Sequence, residues 1–106
     1  MSQRLLANAF SINMTTGSAT VQFTRIPIDE ARAVAADCKS VVGHPDTAAV
    51  FADVLGFPVA CHRATVELAK GDRLIVGQYK GDRLPAGAHQ LPPGATIEWF
   101  DVQVLE

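Results

Sequence analysis

The sequence predicts a two-layer α/β (α+β) fold in which helices pack on a mixed sheet of about five strands. Three observations predict it. Residues Ser18–Ile26 alternate apolar Ala19, Val21 and Phe23 with polar Thr20, Gln22 and Thr24, the period of a strand. Ala48, Phe51, Val54 and Leu55 recur at helical spacing, with Pro45 at the start and Gly56 and Pro58 at the end. Thr96–Leu105 alternates again, with Ile97 and Trp99 on one face and Phe100, Val102 and Val104 on the other. Helices are expected to cover one of these faces, and a partner the other.

The remaining elements follow in chain order. Arg4–Phe10 reads as a short buried strand, and Thr15, Thr16 and Gly17 mark a turn. After Pro27, residues Asp29 to Lys39 have the alanine and charge content of a helix, with Ile28, Ala31, Val34 and Ala35 as its core stripe. In the second helix Pro45 suits the first helical position, which puts His44 at or beside the N-cap and Asp46 in the first turn. Arg63–Lys70 and Arg73–Tyr79 read as two strands of a hairpin turning at Gly71 and Asp72. Gly81–Ala95, with Pro85, Gly87, Pro92, Pro93 and Gly94, is too irregular for an element and reads either as a lid or as a mobile surface loop. The segment KGDRL occurs at Lys70–Leu74 and again at Lys80–Leu84, two similar turns rather than a repeat architecture.

A chain of 106 residues is sized for a single domain, 1–106. Being 48% hydrophobic and 19% charged, it has the material for a core. That core is small, and dimerisation would help it. The net charge of -2 disfavours nonspecific binding of duplex nucleic acid, which calls for a basic excess. The apolar runs fall well short of the ~20 residues of a membrane span. No charged-then-apolar signal opens the sequence, so the expected location is the cytoplasm. Cys38 and Cys61 match no CxxC pattern, and His44, His62 and His89 are scattered, so nothing argues for a metal. No phosphate-binding glycine loop, dinucleotide fingerprint or serine-hydrolase elbow is present, and no cofactor is called for.

Several residues have the chemistry of a phosphate-handling site. His44 in Val42-Gly43-His44-Pro45-Asp46 stands where a helix presents free N–H groups, a natural place for a phosphate, and an imidazole there can pass a proton to an ester oxygen. It can equally do no more than cap the helix. Ser11 and Asn13, alternating after Asn8, offer hydroxyl and amide groups for phosphate oxygens or base edges, or else bond locally within a turn. Arg63, Gln78 and Arg83 complete the set: arginine clamps phosphate oxygens in bidentate fashion, although most arginines are solvated surface charges.

Taken together, Asn8-Ala9-Phe10-Ser11-Ile12-Asn13-Met14, Gly43-His44 followed by Thr47-Ala48, the Arg63 segment, Gly71-Asp72, Gln78, and Arg83-Leu84-Pro85 followed by Gly87 resemble the small ring nuclease family that includes viral type III anti-CRISPR proteins. The order and spacing hold over nearly the whole chain. The resemblance implies a homodimer whose interface binds cyclic tetra-adenylate, the messenger made by type III CRISPR complexes. It implies metal-independent cleavage to linear oligoadenylates ending in 2′,3′-cyclic phosphate, in the host cytoplasm if the protein is virally encoded. On that resemblance His44 maps to the general acid and Arg83 to the residue offsetting charge on the phosphorane. Asn8, Ser11, Asn13, Gly43, Arg63 and Gln78 map to positions that hold the ligand.

The chain departs from the family at one catalytic position. Relatives carry a glutamate where Ala86 stands, and the stretch from Gln78 to Arg83 is about two residues longer here. Asp82 is the carboxylate expected to take the glutamate's place. Two other functions compete with the enzyme: a protein that sequesters a cyclic oligonucleotide without cutting it, which Ala86 favours, and a protein-interaction factor on the same scaffold.

Overall fold

The computed structural model describes residues 3–106. These form strands β1 (Arg4–Ala7), β2 (Val21–Ile26), β3 (Lys39–Ser40), β4 (Arg73–Lys80) and β5 (Thr96–Val104), helices α1 (Ile28–Ala35) and α2 (Pro45–Leu55), and a 3-10 turn at Ile12–Met14. The strands make one mixed sheet in the order β2-β5-β4-β1-β3. β1 runs parallel to both β3 and β4, while β5 is antiparallel to β4 and β2. The expected α+β fold of two layers is the observed one.

Both helices pack on one face. Ala31 and Ala35 of α1, and Ala48, Phe51 and Leu55 of α2, meet Leu6, Ile75 and Trp99 of the sheet. The α2 boundaries match the sequence signals: His44 is the N-cap, Pro45 opens the helix, and Gly56 ends it at φ +83°, a left-handed conformation that suits glycine. Opposite the helices, Leu5, Ala7, Leu74, Val76, Val102 and Val104 build a second cluster. Leu68 is buried in that cluster and Val66 packs against it. The part around Phe10, Phe23 and Phe100 lies open, with Phe23 54% exposed.

The expected hairpin at Gly71-Asp72 does not form, because residues 63–70 are not a strand. The reason is that both edges of β4 are already taken. Arg73 through Val76 pair with β1, and Arg73 through Lys80 pair with β5. The 57–70 segment instead crosses as irregular chain, tied by His62 N–H donating to Val42 O at 2.8 Å and Leu68 N–H to Met14 O at 2.6 Å. Gly71 and Asp72 still turn the chain, since Asp72 N–H donates to Ala69 O and Gly71 N–H to Val104 O. β4 pairs with β5 across the Gly81–Ala95 connection instead.

The first strand stops at Ala7 rather than Phe10, because Ser11 diverts the chain by capping the 3-10 turn. Helix α1 stops at Ala35 rather than Lys39. Its end tightens into i→i−3 bonds from Asp37 to Val34 and Cys38 to Ala35, and Lys39 is captured by β1 as the first residue of β3. Two polar devices then fix the sheet end distant from the helix N-terminus. Buried Asp72 accepts from Gln3 N, Gln3 Nε2 and Ala69 N, pinning the residue before β1 to the turn before β4. Arg73 Nε donates to both oxygens of Asp101, at 2.9 and 3.0 Å, on the helix side of the sheet. Burial raises the pKa of the half-buried Cys38 thiol, and the nearby Arg73 offsets part of the rise.

Candidate functional site

Three parallel strands lie side by side as β4-β1-β3, and the chain leaves each of them at the same edge of the sheet. Asn8 follows β1, Gly43 and His44 follow β3, and Gln78 stands near the end of β4 with Asp82 and Arg83 just beyond it. In open α/β sheets this carboxyl edge is where ligands bind, since loops and helix N-termini converge there. Residues spread over most of the sequence are gathered by topology alone.

His44 and Arg83 line one open hollow of about 620 Å³, together with Asp46, Thr47, Tyr79, Gly81, Leu84 and Ala86. One wall is the first turn of α2. His44 is extended at φ -126°, its side chain makes no capping hydrogen bond, and its carbonyl accepts from Ala48 N at 2.9 Å. The imidazole is exposed and uncommitted to the helix, while the backbone of His44 occupies the N-cap position. The opposite wall is the start of the strap between β4 and β5. Tyr79 Oη donates to Asp82 O at 2.6 Å, and Gly87 N–H donates to Asp46 Oδ1 at 3.1 Å. Among the described residues Arg63 and Arg83 form no salt bridge, whereas Arg25, Arg32 and Arg73 do. The two arginines at this edge are left with their charge unneutralised.

Arg63 reaches the same neighbourhood along the irregular segment. Ser40 Oγ donates to Ala60 O and His62 N–H to Val42 O, so residues 60–63 run beside 40–43. The Arg63 stem lies over Gly43: a β-carbon on that glycine would stand 3.5 Å from Arg63 Cγ. Asn8 and Gln78 belong to a different hollow of about 320 Å³, on the sheet face away from the helices, with Phe10, Phe23, Val76, Phe100 and Val102. The pleat explains the division. Gln78 follows Leu74 and Val76 on the open face, and Tyr79 follows Ile75 and Gly77 on the helix face.

Ser11 and Asn13 do not alternate along a strand end as expected. They sit on the exposed 3-10 turn, where Ser11 Oγ accepts from Asn13 N at 3.3 Å and Thr15 Oγ1 donates to Ile12 O at 2.9 Å. The local bonding anticipated as the alternative for this turn is what forms. Asp82 lines a further small hollow of about 220 Å³ with Tyr79, Pro92 and Pro93, beside the one that holds His44 and Arg83. Asp46, Thr47 and Tyr79 went unrecognised as site residues in the sequence. The helical first turn placed Asp46 and Thr47 near His44, and the strand period placed Tyr79 opposite Gln78, but neither signal says which loop will face them.

Among the described residues no group of three or more His, Cys, Asp or Glu side chains could hold a metal ion. No described helix is long and apolar enough to cross a membrane. Both cysteines are free thiols.

The fold superposes on B116 of Sulfolobus turreted icosahedral virus with a TM-score of 0.78, at 21% identity, over 96% of this chain and 99% of that one. At that identity the likeness speaks for the fold. No curated protein sequence matches the chain. The STIV B116-like family model matches residues 4–92, from β1 through the hollow and most of the strap, and on that span the chain belongs to the STIV B116-like family.

Proposed function

We propose that this protein is a metal-independent ring nuclease that binds cyclic tetra-adenylate across a homodimer and cleaves it to linear oligoadenylates ending in 2′,3′-cyclic phosphate. The observation that carries the reading is the meeting of His44 and Arg83 in one open hollow at the carboxyl edge of the parallel strands. In the reaction a ribose 2′-hydroxyl loses its proton to water as its oxygen attacks the adjacent phosphorus in line, the bond to the 5′-oxygen breaks, and that oxygen needs a proton. His44, exposed at the N-terminus of α2, supplies it. Arg83 offsets the charge that builds on the equatorial phosphorane oxygens. Arg63, beside Gly43, adds a second cation to hold the ring's phosphates. Much of the acceleration then comes from holding sugar and phosphate in line. Asp82, which lines the neighbouring strap hollow, is the proposed stand-in for the glutamate that Ala86 replaces.

The homodimer is supported by the open sheet face. Phe10, Phe23 and Phe100 sit there beside Asn8 and Gln78, so a second copy covering the aromatics brings two sets of amides toward one ring. The two-fold axis would supply two His44 side chains and hence two cuts per ring. Breaking the messenger would switch off the nucleases it activates in type III CRISPR signalling.

Ala86 favours a second reading, a protein that holds the ring without cutting it. Labelled cyclic tetra-adenylate mixed with excess protein in EDTA decides between the two. Linear product ending in cyclic phosphate, absent with His44→Ala, is the expected result. Binding with the ring intact would establish the second reading, and absence of both would sink the two together.

A further inference from the structure

The geometry assigns to Asp46 the role of a positioning residue that latches the 81–95 strap onto the N-terminus of α2 and so keeps Arg83 facing His44. It rests, for its catalytic consequence, on the reading just given, but the latch itself is a property of the fold.

The strap is a long irregular connection, and chain of that length is free to move unless something holds it. At its base the ends are tied. Lys80 pairs with Thr96, and a β-carbon on Gly81 would stand 2.7 Å from Ala95 Cβ, so the two ends enter in contact. Tyr79 Oη then fixes the first turn by donating to Asp82 O at 2.6 Å. Beyond that the strap has one hydrogen bond to the body of the protein among those of the described residues, from Gly87 N–H to Asp46 Oδ1 at 3.1 Å. Gly87 has φ +77° and Ala88 N–H donates to Pro85 O, so a tight turn presents that N–H outward to the carboxylate.

Arg83–Ala86 is therefore a short span held at both ends, by Tyr79 behind it and Asp46 ahead of it. Arg83 has no salt bridge of its own among the described residues. Its placement depends on these two ties. Asp46 is also the one carboxylate among the residues lining the hollow, and it sits two residues after His44 on the same helix end. A carboxylate in a first turn is favoured by the helix dipole, and a charged acceptor makes a stronger hydrogen bond than a neutral one. Both effects hold Asp46 ready for the strap.

The test compares Asp46→Ala with Asp46→Asn, which keeps an oxygen acceptor and gives up the charge. The first readout is amide hydrogen exchange at Gly87 by NMR, without ligand. Exchange about tenfold faster in Asp46→Ala, with most of the protection kept in Asp46→Asn, is expected. Unchanged exchange in Asp46→Ala overturns the latch. The second readout is turnover of cyclic tetra-adenylate. A fall in kcat for Asp46→Ala, partly restored in Asp46→Asn, is expected. Equal kcat in the two Asp46 variants and the wild type overturns the positioning role. If the wild type neither binds nor cuts the ring while the exchange contrast persists, the ring-nuclease reading fails and the latch stands.

Discussion

The ring of Phe51, from α2, meets the indole of Trp99, from β5, at 5.1 Å between centroids and 58° between planes. Both rings are buried, and they close over Gly77 of β4. The contact fastens the helix that begins at His44 to the strand that follows the strap. Core packing and the site's geometry are thus set by the same pair of side chains.

Gly77 is the point at which this packing is most sensitive. A β-carbon there would stand 2.5 Å from Trp99 Cζ3 and 2.7 Å from Phe51 Cζ, distances that force the rings apart. Gly77→Ala is expected to destabilise the fold by about 1–3 kcal/mol, the usual range for overpacking. Urea unfolding followed by Trp99 fluorescence measures it. A stability equal to wild type would mean that the rings have room to retreat.

Asp72 makes the fold sensitive to acid. Burial alone would raise its carboxyl pKa, but hydrogen bonds from Gln3 N, Ala69 N and the Gln3 side chain outweigh it and hold the group below its ordinary value. A carboxyl depressed in the folded state contributes stability that is complete above its unfolded pKa of about 4 and disappears as pH falls through the folded value. Glu98 titrates in the same direction, lowered first by its hydrogen bond from Lys80 and further by Arg25, so the wild-type loss is a sum. Asp72→Asn isolates one contribution. Its Tm is expected to lie below wild type at pH 7, with the gap narrowing toward pH 3. A gap that stays constant over that range would show that the carboxylate's charge is not what the clip uses.

Phe23 tests the open face. It is 54% exposed and packs edge-on against Phe10 at 5.2 Å between centroids. Under the proposed homodimer, Phe23→Glu buries a charge in the interface and is expected to give a monomer by sedimentation, where wild type sediments as a dimer. Loss of the aromatic pair within one chain is expected to lower monomer stability by only about 1 kcal/mol. A monomeric wild type would remove this face as the interface.

Helix α2 was legible in the sequence down to its caps because everything that defines it is local. The apolar positions lie on one helical face, Pro45 can occupy only an early position, and Gly56 takes the left-handed turn. β5 was equally legible, its two faces separated by the pleat: Ile97 and Trp99 pack toward the helices, and Phe100, Val102 and Val104 toward the other side. His44 at the N-cap and a strap after β4 followed from the same short-range rules.

What the sequence left open depended on which strands found each other. Residues 63–70 have a strand's composition but no free edge of β4 to pair with, and Lys39–Ser40 became β3 only because β1 lay beside them. The division of the candidate residues between two faces of the sheet, and the contact of Asp46 with Gly87 across 41 positions, are likewise invisible to any local pattern. Periodicity and capping act over a few residues, where the chain's own geometry brings side chains together. Pairing and loop docking join distant segments, and only the assembled core decides which ones meet.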